Sequence, residues 1–416
     1  AQHACTRETD GLTLVGINSR VLLAFASSYA AREPAEFMPR VTGKRRLLTL
    51  LLAFAMLLAG ATGPVLAEDL FTDFTSSESA RTGQTPVSVG VFYLTNREIS
   101  EGSPADDRYN GNRGVTRFGR CEVEFTPIPF VNDVASRLPF YVQKETSTIK
   151  HAEQLEPPDF WEEITGSIDR TGSVVLFVHG YNYGFERTCR MATEMQRYLE
   201  GRATVIVFSW PSNGLPSDYV KDLADIEWSV PQLSDFIGQL GERIGHGRLR
   251  VLAHSLGSRG VIQALLRLGA VKGQRPLLAD LVLLAPDYDA QSFIDLLPRL
   301  QPLAAGITLY ASANDTPLRL SRQLSGYPRL GEGGEYLTVV EGVETIDVTS
   351  AGMYQITGHE YFYFHPRVTA DLQALLGDGV RAGERTGLQE MQRDGVRYWT
   401  FAQAGATAAS KGDARQ

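Results

Sequence analysis

The chain has 416 residues, of which 43% are hydrophobic, 21% charged and 9% aromatic, with 40 glycines and 20 prolines. That balance excludes wholesale disorder, collagen-like repeats and coiled coil, and the length can bury one large α/β core plus extensions. The 40 lysines and arginines fall short of the 48 acids, for a formal charge of −8. Nucleic acid is excluded as the default partner, because the basic footprint it requires is missing.

Residues 38–67 carry the three parts of a secretory signal. Met38 opens MPRVTGKRR, the apolar run LLTLLLAFAMLLAGA follows from Leu47, and PVLA precedes Glu68. A basic head, an apolar middle of this length, and the small residues Val65 and Ala67 at the −3 and −1 positions predict cleavage before Glu68, leaving no stable membrane span. The rival is an uncleaved membrane anchor, for which the run is short and is interrupted near its end by Gly60, Gly63 and Pro64. Residues 1–37 read as an upstream extension. Export to the periplasm or beyond is the expectation, and there Cys121 and Cys189 have the option of pairing. Sequence alone does not choose between that disulfide and two buried thiols, and Cys5 lies ahead of the signal. No Cys-x-x-Cys or His-Glu-x-x-His spacing occurs, so no metal site is predicted.

Residues 68–158 read as an N-terminal extension containing strands. A polar Ser/Thr-rich lead-in gives way to a β-branched and aromatic strand, Val87–Leu94, closed by TNRE. The Gly, Asp and Asn-rich SPADDRYNGNRG reads as a loop, CEVEF as a second strand, and the rest to Pro158 as irregular and proline-punctuated. A catalytic core is expected over 159–380. It begins with a short helix at 159–170, whose Phe160, Ile164 and Ile168 share a face at spacing four. Near-continuous apolar runs follow at Ser173 (SVVLFVHG), Thr204 (TVIVFSW), Leu249 (LRVLA), Asp280 (DLVLLAP) and Ile307 (ITLYAS), with VETIDV as the last strand. Strands buried on both faces have this composition, so the prediction is a mostly parallel central sheet with helices on both faces. Between the runs, Ile226, Val230, Leu233, Ile237, Leu240 and Ile244 form one helical stripe, with Pro231 expected in the first turn. Residues 381–416 read as a tail.

Chemistry concentrates at VLAHSLGSRG, from Val251 to Gly260. A strand enters the small-x-Ser-x-Gly turn at Ala253-His254-Ser255-Leu256-Gly257 and leaves as a helix, which is the pattern of a nucleophile elbow, with Ala253 where glycine is commoner. His179-Gly180-Tyr181-Asn182 closes the strand one βαβ unit upstream, where such a fold puts its oxyanion loop. The amides of Tyr181 and Leu256 are therefore the candidate oxyanion donors. His179 and His254 are read as structural, because the base in this arrangement comes after the acid. Only His359 and His365 follow Ser255. His359, in a glycine-preceded loop, is the candidate base, whereas His365 precedes Pro366 at the head of the final helix and reads as structural. Asp315 and Asp287 both end strands on the nucleophile's rim; Asp315 is the candidate acid, Asp287 the alternative, and Asp289 a helix-start residue. Tyr219, Leu223, Leu318 and Leu320 are candidates either for an apolar pocket or for plain packing.

The ordered set VFYLTNRE, YNGNRGVTRFG, FVHGYNYGFERT, VFSWPSNG, AHSLGSRG, LLAPDYD, YASANDTPLRLS with PRLG, and GHEYF resembles the DUF900 family of α/β-hydrolases across Val87 to Leu376. The resemblance implies a serine-hydrolase core with Ser255, Asp315 and His359 as its triad, and implies no particular substrate. The expected reaction is hydrolysis of a small-molecule carboxylic ester through an acyl-enzyme on Ser255, without a cofactor. A thioesterase or amidase uses the same parts, and a non-catalytic envelope binding protein is the rival from another class. Acyl length and oligomeric state are left open.

Overall fold

The computed structural model describes residues 86–402 except 101–107, 129–144, 215–216, 270–274 and 353–356. The expected signal at 38–67, the start at Glu68 and the upstream residues 1–37 lie outside the described residues.

Three strands come first: β1 (Val87–Ile99), β2 (Tyr109–Pro127) and β3 (Glu145–Leu155). The helix expected next is α1 (Pro157–Thr171), with Phe160, Ile164 and Ile168 buried. The apolar runs then form β4 (Val174–Val178), β5 (Thr204–Ser209), β6 (Leu249–His254), β7 (Leu278–Leu284) and β8 (Ala304–Ala311), followed by β9 (Glu344–Asp347). Between and after them lie α2 (Phe185–Tyr198), α3 (Tyr219–Ile244), α4 (Gly257–Leu268), α5 (Ala290–Leu300), α6 (Thr316–Ser325), α7 (Tyr361–Phe364) and α8 (Pro366–Asp378). A last pair, β10 (Leu388–Arg393) and β11 (Val396–Phe401), completes a sheet of order β10-β11-β9-β8-β7-β6-β4-β5-β1-β2-β3.

From β1 to β11 every neighbouring pair is parallel; only β2, against β1 and β3, and β10, against β11, run antiparallel. Alternation along the central strands divides the core. Leu176, Val178, Val251 and Leu281 face a layer with α1, α3, α4 and α5, whereas Phe177, Val207, Leu252 and Val282 face α2 and α8. The predicted α/β-hydrolase fold, with helices on both faces, is therefore present. From β4 the chain crosses to β5 on one side and then to β6 on the other. The connections leaving the carboxyl ends of β4 and β6 run to opposite sides, which makes this the topological switch point, outside which such sheets hold their ligand crevice.

Four local expectations are corrected. TNRE does not close β1: Thr95, Asn96 and Arg97 stay in the strand, fully buried. YNGNRG is the start of β2 rather than loop, since Arg97 pairs with Arg113 and Ile99 with Tyr109, and register shifts between those pairs absorb the irregular residues. Pro231 lies well inside α3. It sits on the exposed side, and the stripe buried on either side of it outweighs the roughly 3 kcal/mol that an internal proline costs. Finally, residues 381–416 are not all tail: the β10–β11 hairpin extends the sheet, with Trp399 opposite Ile346. The strand β3 went unrecognised because its residues, ETSTIKHAEQL, bury little besides Ile149 and Ala152.

Cys121 on β2 and Cys189 on α2 form a disulfide with Cα atoms 6.4 Å apart. Both are fully buried, so the bridge ties the antiparallel edge of the sheet to the helix that follows the β4 loop. Among the described residues, no helix is long and apolar enough to cross a membrane.

Candidate active site

The crevice is bounded by the two turns that close β4 and β6. Ser255 follows β6 with φ 51°, in the left-handed region that costs a non-glycine residue about 1–3 kcal/mol. Hydrogen bonds hold the strained turn: Ser255 N donates to Leu284 O at 2.9 Å, and Ser255 O accepts from Ser258 N and Asp287 N, each at 3.1 Å. Small residues are dictated by close approach of the two turns. A side chain at Gly257 would strike the carbonyls of Val178 and His179, and a Cβ at Gly180 would lie 2.8 Å from Ser255 Cβ. The Gly180–Tyr181 loop is thus packed directly against the serine, and α4 begins two residues after it.

Backbone docking brings Asp315 and His359 together. Thr316 N donates to Thr357 O at 3.1 Å. Gly358 follows with φ 64°, and a Cβ there would collide with Asn314. This apposition delivers His359 Nδ1 to 2.7 Å from Asp315 Oδ2. Asp315 also caps α6, accepting from Leu318 N at 2.9 Å. Burial raises the Asp315 carboxyl's pKa, partly offset by His359 and by the Leu318 amide. For His359, burial pulls the pKa down, but the charge and hydrogen bond of Asp315 outweigh it and leave the imidazole above its ordinary value. The His359 ring lies 4.8 Å from that of His254, the residue before Ser255. The Asp315–His359 pair therefore lies beside the residue that precedes Ser255.

The remaining candidates have other partners. Asp287 pairs with Arg329 at 2.8 Å and accepts from Ser321 Oγ at 2.7 Å and Tyr219 Oη at 2.8 Å. His365 caps α8 and has its Nε2 2.9 Å from Ala351 O, the structural place expected of it. Asp289 caps α5 through Ser292 N. His179 stacks on Trp210 at 4.8 Å, and burial together with Arg97 keeps its pKa well below the usual value. His254 is likewise held neutral by burial and by neighbouring His359. Of the four residues suggested for an apolar pocket, Leu318 is in the core and Leu320 is exposed, while Leu223, on α3, packs partly buried against the core. Tyr219 does reach the crevice, its ring 5.4 Å from Tyr181, and burial beside Asp287 pushes its hydroxyl up to about 12. Among the described residues, no group of three or more His, Cys, Asp or Glu is placed to hold a metal ion.

Beneath the Gly180–Tyr181 loop lies a polar network that sequence reasoning passed over. The fully buried Arg97 donates to Tyr183 O at 2.7 Å, Ser212 O at 2.6 Å and Ser209 Oγ at 2.8 Å. Its pKa is pushed down to about 9 by burial, against support from Asp222 and Asp225. Asp222 accepts from Ser212 Oγ at 2.5 Å and Asn182 N at 3.3 Å, and Ser212 Oγ from Tyr183 N at 3.1 Å. Tyr183 Oη in turn donates to Glu360 at 2.5 Å. A signal was present in the sequence: Arg97, Tyr183, Ser212 and Glu360 all fall inside the short motifs on which the family resemblance rests.

The strand order, the strained turn after β6 and the Asp315–His359 pair on the loops after β8 and β9 define the class: this is an α/β-hydrolase fold, which supports hydrolase activity. The profile of the family described as "Alpha/beta hydrolase of unknown function (DUF900)" matches residues 159–378, and the chain belongs to that family. No curated protein matches it. Among solved structures, the ydeN gene product from B. subtilis is 15% identical, over 49% of this chain and 98% of its own, with a TM-score of 0.30. RedJ, with a PEG molecule bound in its active site, is 14% identical over 59% of this chain and 100% of its own, with a TM-score of 0.28.

Proposed function

We propose that the protein is a serine hydrolase that cleaves carboxylic esters. The observation that carries this reading is the 2.7 Å contact between His359 Nδ1 and Asp315 Oδ2, set beside a serine whose backbone is strained at φ 51°. In this reading Ser255 Oγ attacks the acyl carbon while His359 Nε2 takes its proton, and Asp315 holds the imidazole in the required tautomer and stabilises the imidazolium. The amides of Tyr181 and Leu256 donate to the oxyanion, aided by the positive end of α4. The proton passes from His359 to the leaving alcohol, and water then attacks the acyl-enzyme with His359 again as base.

A fluorophosphonate, which phosphonylates activated serines with loss of fluoride, tests the assignment directly. Intact mass should show one adduct, mapped to Ser255, and neither Ser255→Ala nor His359→Ala should label or hydrolyse p-nitrophenyl esters while both remain folded. Folded parent protein that takes no adduct favours the binding-protein reading. The same assignment is compatible with thioesters and amides, which the substrate panel separates. Export to an oxidising compartment belongs to the proposal as well, supported by the Cys121–Cys189 bridge.

A further inference from the structure

Immediately after His359 stands Glu360, 6% exposed, and it is held from the opposite side of the crevice. Tyr183 Oη donates to Glu360 Oε1 at 2.5 Å, and Arg187 pairs with the same oxygen. The Arg187 guanidinium also lies over the Tyr183 ring, 4.3 Å from its centroid. Tyr183 belongs to the turn after β4 and Arg187 to the first turn of α2, so both come from the segment that carries the oxyanion loop. Tyr183 is itself pinned: its backbone O accepts from Arg97 and its N–H donates to Ser212 Oγ. Its ring lies 5.6 Å from His179 and 5.8 Å from His254, the residues at which the two crevice turns begin. A carboxylate in that position therefore joins the base loop to the oxyanion loop through a charge-assisted junction, buried at Glu360 and Tyr183 and open to solvent at Arg187.

We infer that Glu360 is a positioning residue for His359, fixing the base loop against the oxyanion loop through Tyr183 and Arg187 and contributing a negative charge beside the imidazole. The inference rests on the reading of His359 as the general base. Four groups face His359: Asp315 from the start of α6, Asp287 from the end of β7, His254 from the end of β6, and Glu360 beside it in the chain. Arg187 faces Glu360 from α2 and offsets part of its charge. Removing the carboxylate and removing its cation should thus act on the imidazole with opposite sign.

The test measures the rate of fluorophosphonate labelling of Ser255 against pH, which reports the fraction of neutral His359 without requiring the natural substrate. Glu360→Gln keeps the shape of the side chain and should slow labelling about tenfold through loosened orientation, with the midpoint moved to lower pH. Arg187→Met alters a part-exposed side chain, folds independently of the fate of the first variant, and should move the midpoint to higher pH. Shifts of opposite sign support the inference. Midpoints that stay put, or that move in the same direction, overturn it and leave Glu360 a structural strut. Absence of Ser255 labelling in the parent is a different failure, which removes the serine-hydrolase reading itself.

Discussion

Asp315→Asn and Asp287→Asn form a paired experiment in which one carboxylate should fail in catalysis and the other in stability. Asp315 is fully buried and serves two partners, Leu318 N at 2.9 Å and His359 Nδ1 at 2.7 Å. Asparagine caps a helix about as well as aspartate, and a neutral amide avoids the desolvation that burial imposes on the carboxylate. The stability change should therefore stay within about 1 kcal/mol. Catalysis is another matter, because a neutral amide neither enforces the tautomer nor stabilises the imidazolium. The expected loss is about 10⁴-fold in turnover, equivalent to roughly 5.5 kcal/mol of transition-state stabilisation.

Asp287 presents the opposite case. Its charge answers that of Arg329, and the two side chains are only 5% and 8% exposed. Removing one member of such a pair strands the other and costs about 3–5 kcal/mol of stability, whereas no hydrogen bond links Asp287 to His359 in the contacts of this site. Turnover should fall much less than in Asp315→Asn. Steady-state kinetics on a p-nitrophenyl ester and urea unfolding of both variants measure the two quantities separately. A loss of several powers of ten in Asp287→Asn with unchanged unfolding, beside near-parental turnover in Asp315→Asn, would refute the reasoning and transfer the acid to Asp287.

Three further outcomes are expected. Because the base must be neutral to act and the pKa of His359 is raised above the ordinary histidine value by Asp315 against the pull of burial, kcat/KM should rise with pH through a midpoint above that ordinary value; a midpoint below it contradicts the Asp315–His359 pairing. Replacing both Cys121 and Cys189 with serine opens a loop of 68 residues and should lower stability by about 4 kcal/mol on the chain-entropy account, and unchanged urea midpoints with and without reductant would show that the bridge does not form. Mature protein from its native host should begin at Glu68 by intact mass, and recovery of residues 47–61 in a membrane fraction would replace cleavage with anchoring.

The elements legible in the sequence were those whose side-chain pattern and backbone role coincide. The runs at Val174, Thr204, Leu249 and Ile307 are apolar on both faces because helices cover both, and composition alone reveals that. The Ser255 turn was legible because only small residues fit where it meets Val178 and His179. Arg97 was not, since a charged residue at a strand end normally marks the surface. Here the strand continues and five polar atoms take up the guanidinium: Ser209 Oγ, His179 Nε2 and the carbonyls of Ser212, Tyr183 and Asn110. Sequence ranked Asp315 ahead of Asp287 only by its later place in the chain, not by any contact. Both end parallel neighbours, and the choice depends on a docking of Gly358 against Asn314 that links residues far apart in the chain.

The preference for acyl length turns on the surface beside the crevice, and is the prediction most exposed to the structure. The sequence of α6 and of the loop before α3 is polar on balance, which favours a modest, dissolved ester of short to medium acyl chain over an aggregated lipid. The fold nevertheless leaves Val220, Leu320, Leu324 and Tyr327 at 77%, 55%, 73% and 66% exposure. Isolated exposed apolar residues are ordinary on protein surfaces, and only a contiguous patch signals a partner. Tyr219, Ser321 and Asp287 form a polar ledge between the start of α3 and α6, at the point where a lipid-binding face would have to be continuous and dry. Rates on p-nitrophenyl esters should therefore peak at short to medium chains and show no step as substrate passes its critical micelle concentration. A sharp rise with emulsified long-chain triglyceride, abolished by Leu320→Ser with Leu324→Ser, would make those side chains an interfacial surface and the enzyme a lipase.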